Sequence, residues 1–260
     1  ITQDIGLAEL KQEEYPSGVS IDVVGDEQNY HFKVLKLICQ KLGLPSADGI
    51  YHLSYGMVEL PSGRMNTREG TVVDADNIID EMVEIARQKT YELGKVKDFD
   101  EAGLKELYDT LGLGAWKFFL LRVDPKKRML FNPEESIDFH GFTGPFVQFS
   151  YARASSILRK EQPVNGPLPA TLLPLEKNVL VDLEKYPLII GQAGVEMNPS
   201  VIAGYAFRLA QTFNTFVTEL RVLNAETAEK KELRLQLCQM TVNVIKSAMQ
   251  ILGIKVPERM

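Results

Sequence analysis

One change of pattern limits most strongly what this chain can fold into: short alternating stretches that read as strands lie almost wholly in its first third, and helical periodicity takes over beyond residue 98. Val19-Ser-Ile-Asp-Val-Val-Gly25 alternates and stops at a glycine, which predicts a strand. His31 to Leu42 then carries Phe32, Leu35, Ile38 and Leu42 at helical spacing, and Gly43 is suited to close that helix in the left-handed conformation. A second strand is predicted from Tyr51 to Tyr55, followed by a polar loop and a helix that Asp76 would cap, with Ile78, Ile79, Met82, Val83 and Ala86 on one side. Strand, helix, strand, loop, helix is an α/β pattern, with too few strands for a whole sheet.

Beyond that point one short strand candidate, 127–131, sits between Pro125 and Pro133, and helices are predicted at 144–160, 175–185, 199–223 and 226–252. Asn198-Pro199 places a capping residue before a proline at the first helical position, and Gly253 ends the last helix. Leu233, Leu237, Met240, Val244, Ala248 and Ile251 form one stripe on that helix, the pattern of a bundle core. The expected fold class is therefore α/β plus all-α, with a bundle from about residue 141 to the end.

At 260 residues the chain is long enough for two or three packed units, and 45% hydrophobic with 25% charged residues excludes a mainly disordered or collagen-like chain. No run approaches eighteen apolar residues, so no membrane partner is expected. Cys39 and Cys238 are far apart and lack any CxxC or His spacing, which suggests neither zinc nor a disulfide framework and points to a reducing, cytoplasmic setting. The net charge of −6 is uneven. Residues up to 110 hold 11 Lys+Arg against 21 Asp+Glu, and the remainder 18 against 14, giving −10 and +4. A basic second half is compatible with a polyanionic partner and equally with ordinary solvated helix faces.

The loop Pro61-Ser-Gly-Arg-Met-Asn-Thr-Arg-Glu-Gly70 places Arg64 and Arg68 between a strand and a helix, where cationic groups can neutralise developing phosphate charge. No Gly-Lys-Ser/Thr ends it, so it is not a P-loop. With its flanks, His52-Leu-Ser-Tyr-Gly-Met-Val-Glu-Leu60 before and Thr71-Val-Val after, it resembles the second signature loop of class I aminoacyl-tRNA synthetases, the arginyl family best. In that family the loop steadies the ATP phosphates while the amino-acid carboxylate attacks the α-phosphate. The resemblance implies catalytic roles for Arg64 and Arg68 and ATP contacts from His31, Met57, Val58, Arg64 and Met65, with backbone groups near the loop holding adenine. Arg64 stands where lysine is common, Asn66 replaces a serine, and Thr67 replaces a second lysine that arginyl enzymes often lack.

The resemblance extends over the whole chain. Thr2-Gln-Asp-Ile-Gly6 resembles the segment that binds the amino acid, with Asp4 matching the carboxylate that pairs with the substrate guanidinium, a fork-to-fork match. In Asp26-Glu-Gln-Asn-Tyr-His-Phe32, Gln28 matches a residue that hydrogen-bonds the same guanidinium and His31 lies near the nucleotide. On its residues alone, His31 serves equally well as a core histidine. Phe142-Thr-Gly-Pro-Phe-Val-Gln-Phe-Ser-Tyr-Ala-Arg153 and Ser156-Ile-Leu-Arg-Lys160 resemble the opening of the helical anticodon-binding domain. Phe146, Phe149 and Arg153 share one helix face, and the resemblance implies that they and Met260, in the ending Val256-Pro-Glu-Arg-Met260, meet the tRNA anticodon. Spacing alone favours both phenylalanines as bundle core.

The resemblance also implies boundaries and partners. Residues 1–97 would be the C-terminal half of a class I nucleotide-binding (Rossmann-like) catalytic domain, 98–140 a connecting helical region, and 141–260 an α-helical anticodon-binding domain. ATP with Mg2+ as a substrate complex, L-arginine and the tRNA for arginine are the expected partners, with no protein-bound metal and a monomeric state. The family's first signature, a His-x-Gly-His tetrapeptide, is absent, and the chain starts without Met. A C-terminal fragment, inactive alone, is therefore expected. Two other readings remain: a non-catalytic RNA-binding helical module with a vestigial α/β half, which the retained Asp4 and Gln28 disfavour, and a cysteinyl-type synthetase, which the lack of a zinc-ligand cluster disfavours.

Overall fold

The structure is a computed structural model that describes residues 1–16, 18–59, 74–92 and 99–260. The chain divides into two compact units, Ile1–Glu59 with Asp124–Leu130, and Leu60–Val123 with Phe131–Met260.

In the first unit, helix α1 (Thr2–Glu14) precedes strand β1 (Ser20–Gly25), helix α2 (Asn29–Lys41) and strand β2 (Ile50–Tyr55). β1 and β2 pair in parallel from Ser20↔Ile50 to Gly25↔Tyr55, so α2 is the crossover of a βαβ unit. Both expected strands are present, and the helix between them starts two residues before His31. Gly43 follows α2 at φ +71°, in the expected left-handed closure. Leu35, Cys39, Ala47 and Ile50 form a small core with Ala8. The α1 helix has no counterpart in the sequence reading, because its apolar residues lack a stripe: only Ala8 is buried, while Leu7 and Leu10 stay exposed. Strand β3 (Val58–Glu59) pairs in parallel with β4 (Met129–Leu130), which falls inside the expected strand 127–131.

In the second unit, α3 (Ala75–Glu92) packs on α4 (Glu101–Leu121), and α5 (Pro133–Ser136) leads into the bundle of α6 (Gly144–Lys160), α7 (Pro174–Glu184), α8 (Tyr186–Glu196), α9 (Pro199–Glu219) and α10 (Ala228–Ile251). The cap of α3 differs from expectation: Asp74 Oδ1 accepts the Asp76 N–H at 3.1 Å, so the helix begins one residue before Asp76. Asn198 caps α9 as read, accepting from Ser200 N at 3.0 Å. Thr143 caps α6, and Gly253 closes α10 at φ +68°. The helix expected at 175–185 is followed by another, because Pro187 lacks the N–H that would continue α7 and instead sits in the first turn of α8.

Helix α4 lies inside the region 98–140 expected to be helical, but its bounds are not legible in the sequence because three glycines interrupt it, and packing explains two of them. A Cβ on Gly112 would lie 2.8 Å from Val83 N of α3, and one on Gly114 would collide with Gln148 Nε2 of α6; facing it, a Cβ on Gly144 of α6 would lie 2.5 Å from Gly114 O and 3.0 Å from the Phe118 side chain. The helix backbones meet where side chains are missing. Gly144→Ala is expected to destabilise this unit by about 1 to 3 kcal/mol through overpacking against backbone that cannot yield; chemical denaturation with an unchanged midpoint would refute the close-approach argument.

The bundle core runs through Phe118, Tyr151, Leu209, Phe213, Phe216, Leu237 and Ile245, each at most 1% exposed. The expected stripe on α10 is only partly right: Leu233, Leu237 and Ala248 are buried, but Met240 and Ile251 are 37% and 51% exposed. α10 packs against α6, α7 and α9, so its buried surface wraps round to Leu235, Cys238, Val242 and Met249. Among the described residues no helix is long and apolar enough to cross a membrane.

Candidate functional sites

In the first unit a cleft of about 440 Å³ opens at the carboxyl ends of β1 and β2, the usual ligand position in open α/β sheets. Asp4 of α1, Gln28 and His31 at the start of α2, and Tyr55 and Met57 after β2 line it, together with Gly25. Asp4 Oδ2 stands 3.1 Å from His31 Nε2 and 3.0 Å from the Ile1 ammonium. The ammonium, foremost, and His31 lower the Asp4 pKa, so the carboxylate is ionised at neutral pH. His31 also meets Phe32 edge-on, and Phe32 stacks on His52 at 4.2 Å between ring centres. His52 Nε2 lies 3.0 Å from Val24 O, a contact that ties the two strands together below the cleft.

Four of the sequence-selected residues, Asp4, Gln28, His31 and Met57, thus line one cavity despite spanning more than fifty residues. Val58 lies in β3 and is not part of that lining. Arg64, Met65 and Arg68, with the whole loop 61–70, lie outside the described residues. The cleft is lined by two carboxylate residues, Asp4 and Glu27, an amide and an imidazole near a helix N-terminus, a donor and acceptor set that suits a cationic planar group at Asp4 and a polar ligand beside α2. Among the described residues no group of three His, Cys, Asp or Glu side chains is arranged to hold a metal ion.

In the second unit a larger cleft, about 630 Å³, is lined by Phe149, Arg153 and Arg159 of α6, by 221–224 after α9, and by Arg259 and Met260. Among the described residues four arginines and no acidic side chain line this space, so its potential favours an anion. Arg153 is steered by α9, donating to Thr218 Oγ1 at 3.2 Å and Asn214 Oδ1 at 3.4 Å. Desolvation lowers its pKa, yet a guanidinium keeps its charge at physiological pH. Phe149, Arg153 and Met260 therefore converge. Phe146 does not line the cleft: its ring packs on Phe207 at 5.0 Å and against the bundle core.

Sequence reading missed Phe99, Arg221 and Arg259, which also line this cleft. Arg221 follows a helix end with no local motif. Its place is set by Arg234 of α10, fully buried, whose Nη1 donates to Arg221 O at 2.7 Å and whose Nε donates to Glu176 Oε1 at 2.9 Å. Glu176 also accepts from Lys230 Nζ at 2.6 Å and Leu173 N at 2.8 Å. Burial pushes the Glu176 carboxyl up, but those donors outweigh it and hold the pKa low.

Comparison with known proteins covers nearly the whole chain. Residues 1–132 match the family described as tRNA synthetases class I (R), catalytic domain, and residues 147–260 match the DALR anticodon binding domain. An arginine-tRNA ligase of Flavobacterium psychrophilum is 47% identical over the whole chain, which spans 44% of that relative; one of Amoebophilus asiaticus is 45% identical, again over the whole chain and 45% of the relative. The chain spans less than half the length of these curated relatives. Among solved structures, the Thermus thermophilus arginyl-tRNA synthetase superposes with a TM-score of 0.84 at 30% identity, covering 93% of this chain and 41% of that one.

Proposed function

Because the chain belongs to the arginyl branch of the class I tRNA synthetases, we propose that it forms the second part of an enzyme that joins L-arginine to its tRNA through arginyl-adenylate, with ATP and Mg2+ as substrates. The observation that carries this reading is the pairing of two clefts of different chemistry, one with Asp4 and Gln28 at the strand ends and one lined by arginines in the bundle. In the first, Asp4 takes the substrate guanidinium as a bidentate partner, Gln28 adds a side-chain amide, and His31 and Met57 border the nucleotide, joined by Val58. Arg64, Met65 and Arg68 complete the phosphate side, the arginines neutralising charge as pyrophosphate leaves. Mg2+ arrives on the nucleotide phosphates.

In the second cleft, Phe149 stacks on an unpaired anticodon base, Arg153 binds a phosphate or a second base, and Met260 closes one side. We assign Phe146 to the support of this surface through Phe207. The proposed division is 1–97 catalytic, 98–140 connecting and 141–260 anticodon-binding, in an enzyme that works as a monomer in the cytoplasm.

Phe149→Ala is expected to weaken binding of the tRNA by about tenfold or more, since base stacking on an aromatic is worth roughly 1 to 3 kcal/mol. Arg153→Ala should weaken it as well, with a shallower salt dependence if the guanidinium meets a phosphate. Titrations at several salt concentrations, run beside thermal melts, check both. Variants that stay folded and bind the tRNA like the parent would remove this cleft from RNA recognition.

A further inference from the structure

After α10 closes at Gly253, the remaining residues are fastened to α4 and α6 by side chains rather than by regular structure. Lys117 Nζ of α4 donates to Gly253 O at 2.8 Å. Gln148, fully buried in α6, donates to Lys255 O at 2.8 Å and to Thr110 O at 3.0 Å, bridging tail and α4. Tyr151, 1% exposed, donates its hydroxyl to Glu258 Oε1 at 2.8 Å, and Arg159 Nη1 donates to Glu258 O at 2.6 Å. Gln148, Tyr151 and Arg159 fall on one side of α6 by helical spacing, Phe149 and Arg153 on the side that lines the arginine-rich cleft, and Arg159 reaches the lining as well. The two residues that follow Glu258, Arg259 and Met260, are lining residues of that cleft.

We propose that Gln148, Tyr151 and Arg159 form a latch that holds residues 255–260 as one wall of the arginine-lined cleft, and so act as positioning residues for recognition of an RNA loop there. The inference rests on the reading of this cleft as an RNA site. Tyr151 and Glu258 are its adjustable element. Glu258 is exposed apart from this contact, so its carboxylate is solvated once released, whereas the Tyr151 hydroxyl, 1% exposed, would be left buried without this acceptor. Gln148 and Arg159 hold main-chain carbonyls and fix the path of the tail, whereas the Tyr151 bond fixes a side chain, and with it the rotation of the segment that presents Arg259 and Met260.

The test uses the 260-residue chain and the anticodon stem-loop RNA of an arginine tRNA as probe, with affinity and thermal midpoint measured together. Tyr151→Phe and Glu258→Ala are each expected to weaken binding about tenfold, the scale of one hydrogen bond to a charged acceptor, with a nearly unchanged midpoint for Tyr151→Phe and a lowered one for Glu258→Ala, which strands the buried hydroxyl. The double variant should bind no more weakly than either single one, because both remove the same bond. Glu258→Gln keeps a carbonyl acceptor for the tyrosine and should bind within about twofold of the parent. The latch is refuted if the single variants bind like the parent while Phe149→Ala binds at least tenfold more weakly, if their effects multiply in the double variant, or if Glu258→Gln is as weak as Glu258→Ala. If Phe149→Ala and Arg153→Ala also bind normally, the RNA reading of the cleft fails, and the latch with it.

Discussion

Glu176→Ala is expected to lower the stability of the helical unit by roughly 3 to 5 kcal/mol, the cost of leaving a buried charge without its partner. Glu176 and Arg234 are each fully buried and 2.9 Å apart, and Lys230 reaches the other carboxylate oxygen. Removing the carboxylate leaves the Arg234 guanidinium with Glu226 at 2.7 Å, whose side chain is 65% exposed and compensates poorly. The same substitution strips the Leu173 N–H of its acceptor at the start of α7. Equilibrium denaturation in urea measures the loss, and a change under 1 kcal/mol would show that the network is dispensable. Acid should produce a milder version. The Glu176 pKa is lowered on folding, so its contribution is present above the ordinary carboxylate range and is lost as pH falls through and below that range. The variant should therefore show a flatter acid limb than the parent.

Asp4→Ala, made in a protein of the relatives' full length, is expected to raise the Michaelis constant for arginine about a hundredfold. That corresponds to on the order of 3 kcal/mol, the lower end for a charge pair that loses one member. The lower end applies because the Asp4 side chain is 41% exposed in this chain and already has His31 Nε2 beside it at 3.1 Å. Arginine-dependent exchange of pyrophosphate with ATP gives the constant directly. An unchanged value for arginine would take Asp4 out of the amino-acid site and leave the cleft to the nucleotide alone.

The sequence by itself determined the parts of this protein that depend on neighbours within about four positions. The strands read at 19–25 and 51–55, the Asn198-Pro199 helix start, and Gly43 and Gly253 as helix closures all act through local backbone chemistry, and the structure has each of them. Family motifs were legible for the same reason: Asp4, Gln28, Phe149 and Arg153 sit in short recognisable segments. Tertiary structure decided the rest. Gly112 and Gly114 argue against a helix in isolation, but α4 is a helix because α3 and α6 need backbone that close, and that gain exceeds the local cost. The buried face of α10 was set by three packing partners, which no single stripe describes. Between two phenylalanines three residues apart, only packing separated Phe146, held against Phe207, from Phe149, which lines the cleft. Arg221 and Arg259 reach that cleft through Arg234 and the latch on Glu258, from positions scores of residues away from α6. Such convergence follows from how the helices pack, and helical periodicity carries no record of it.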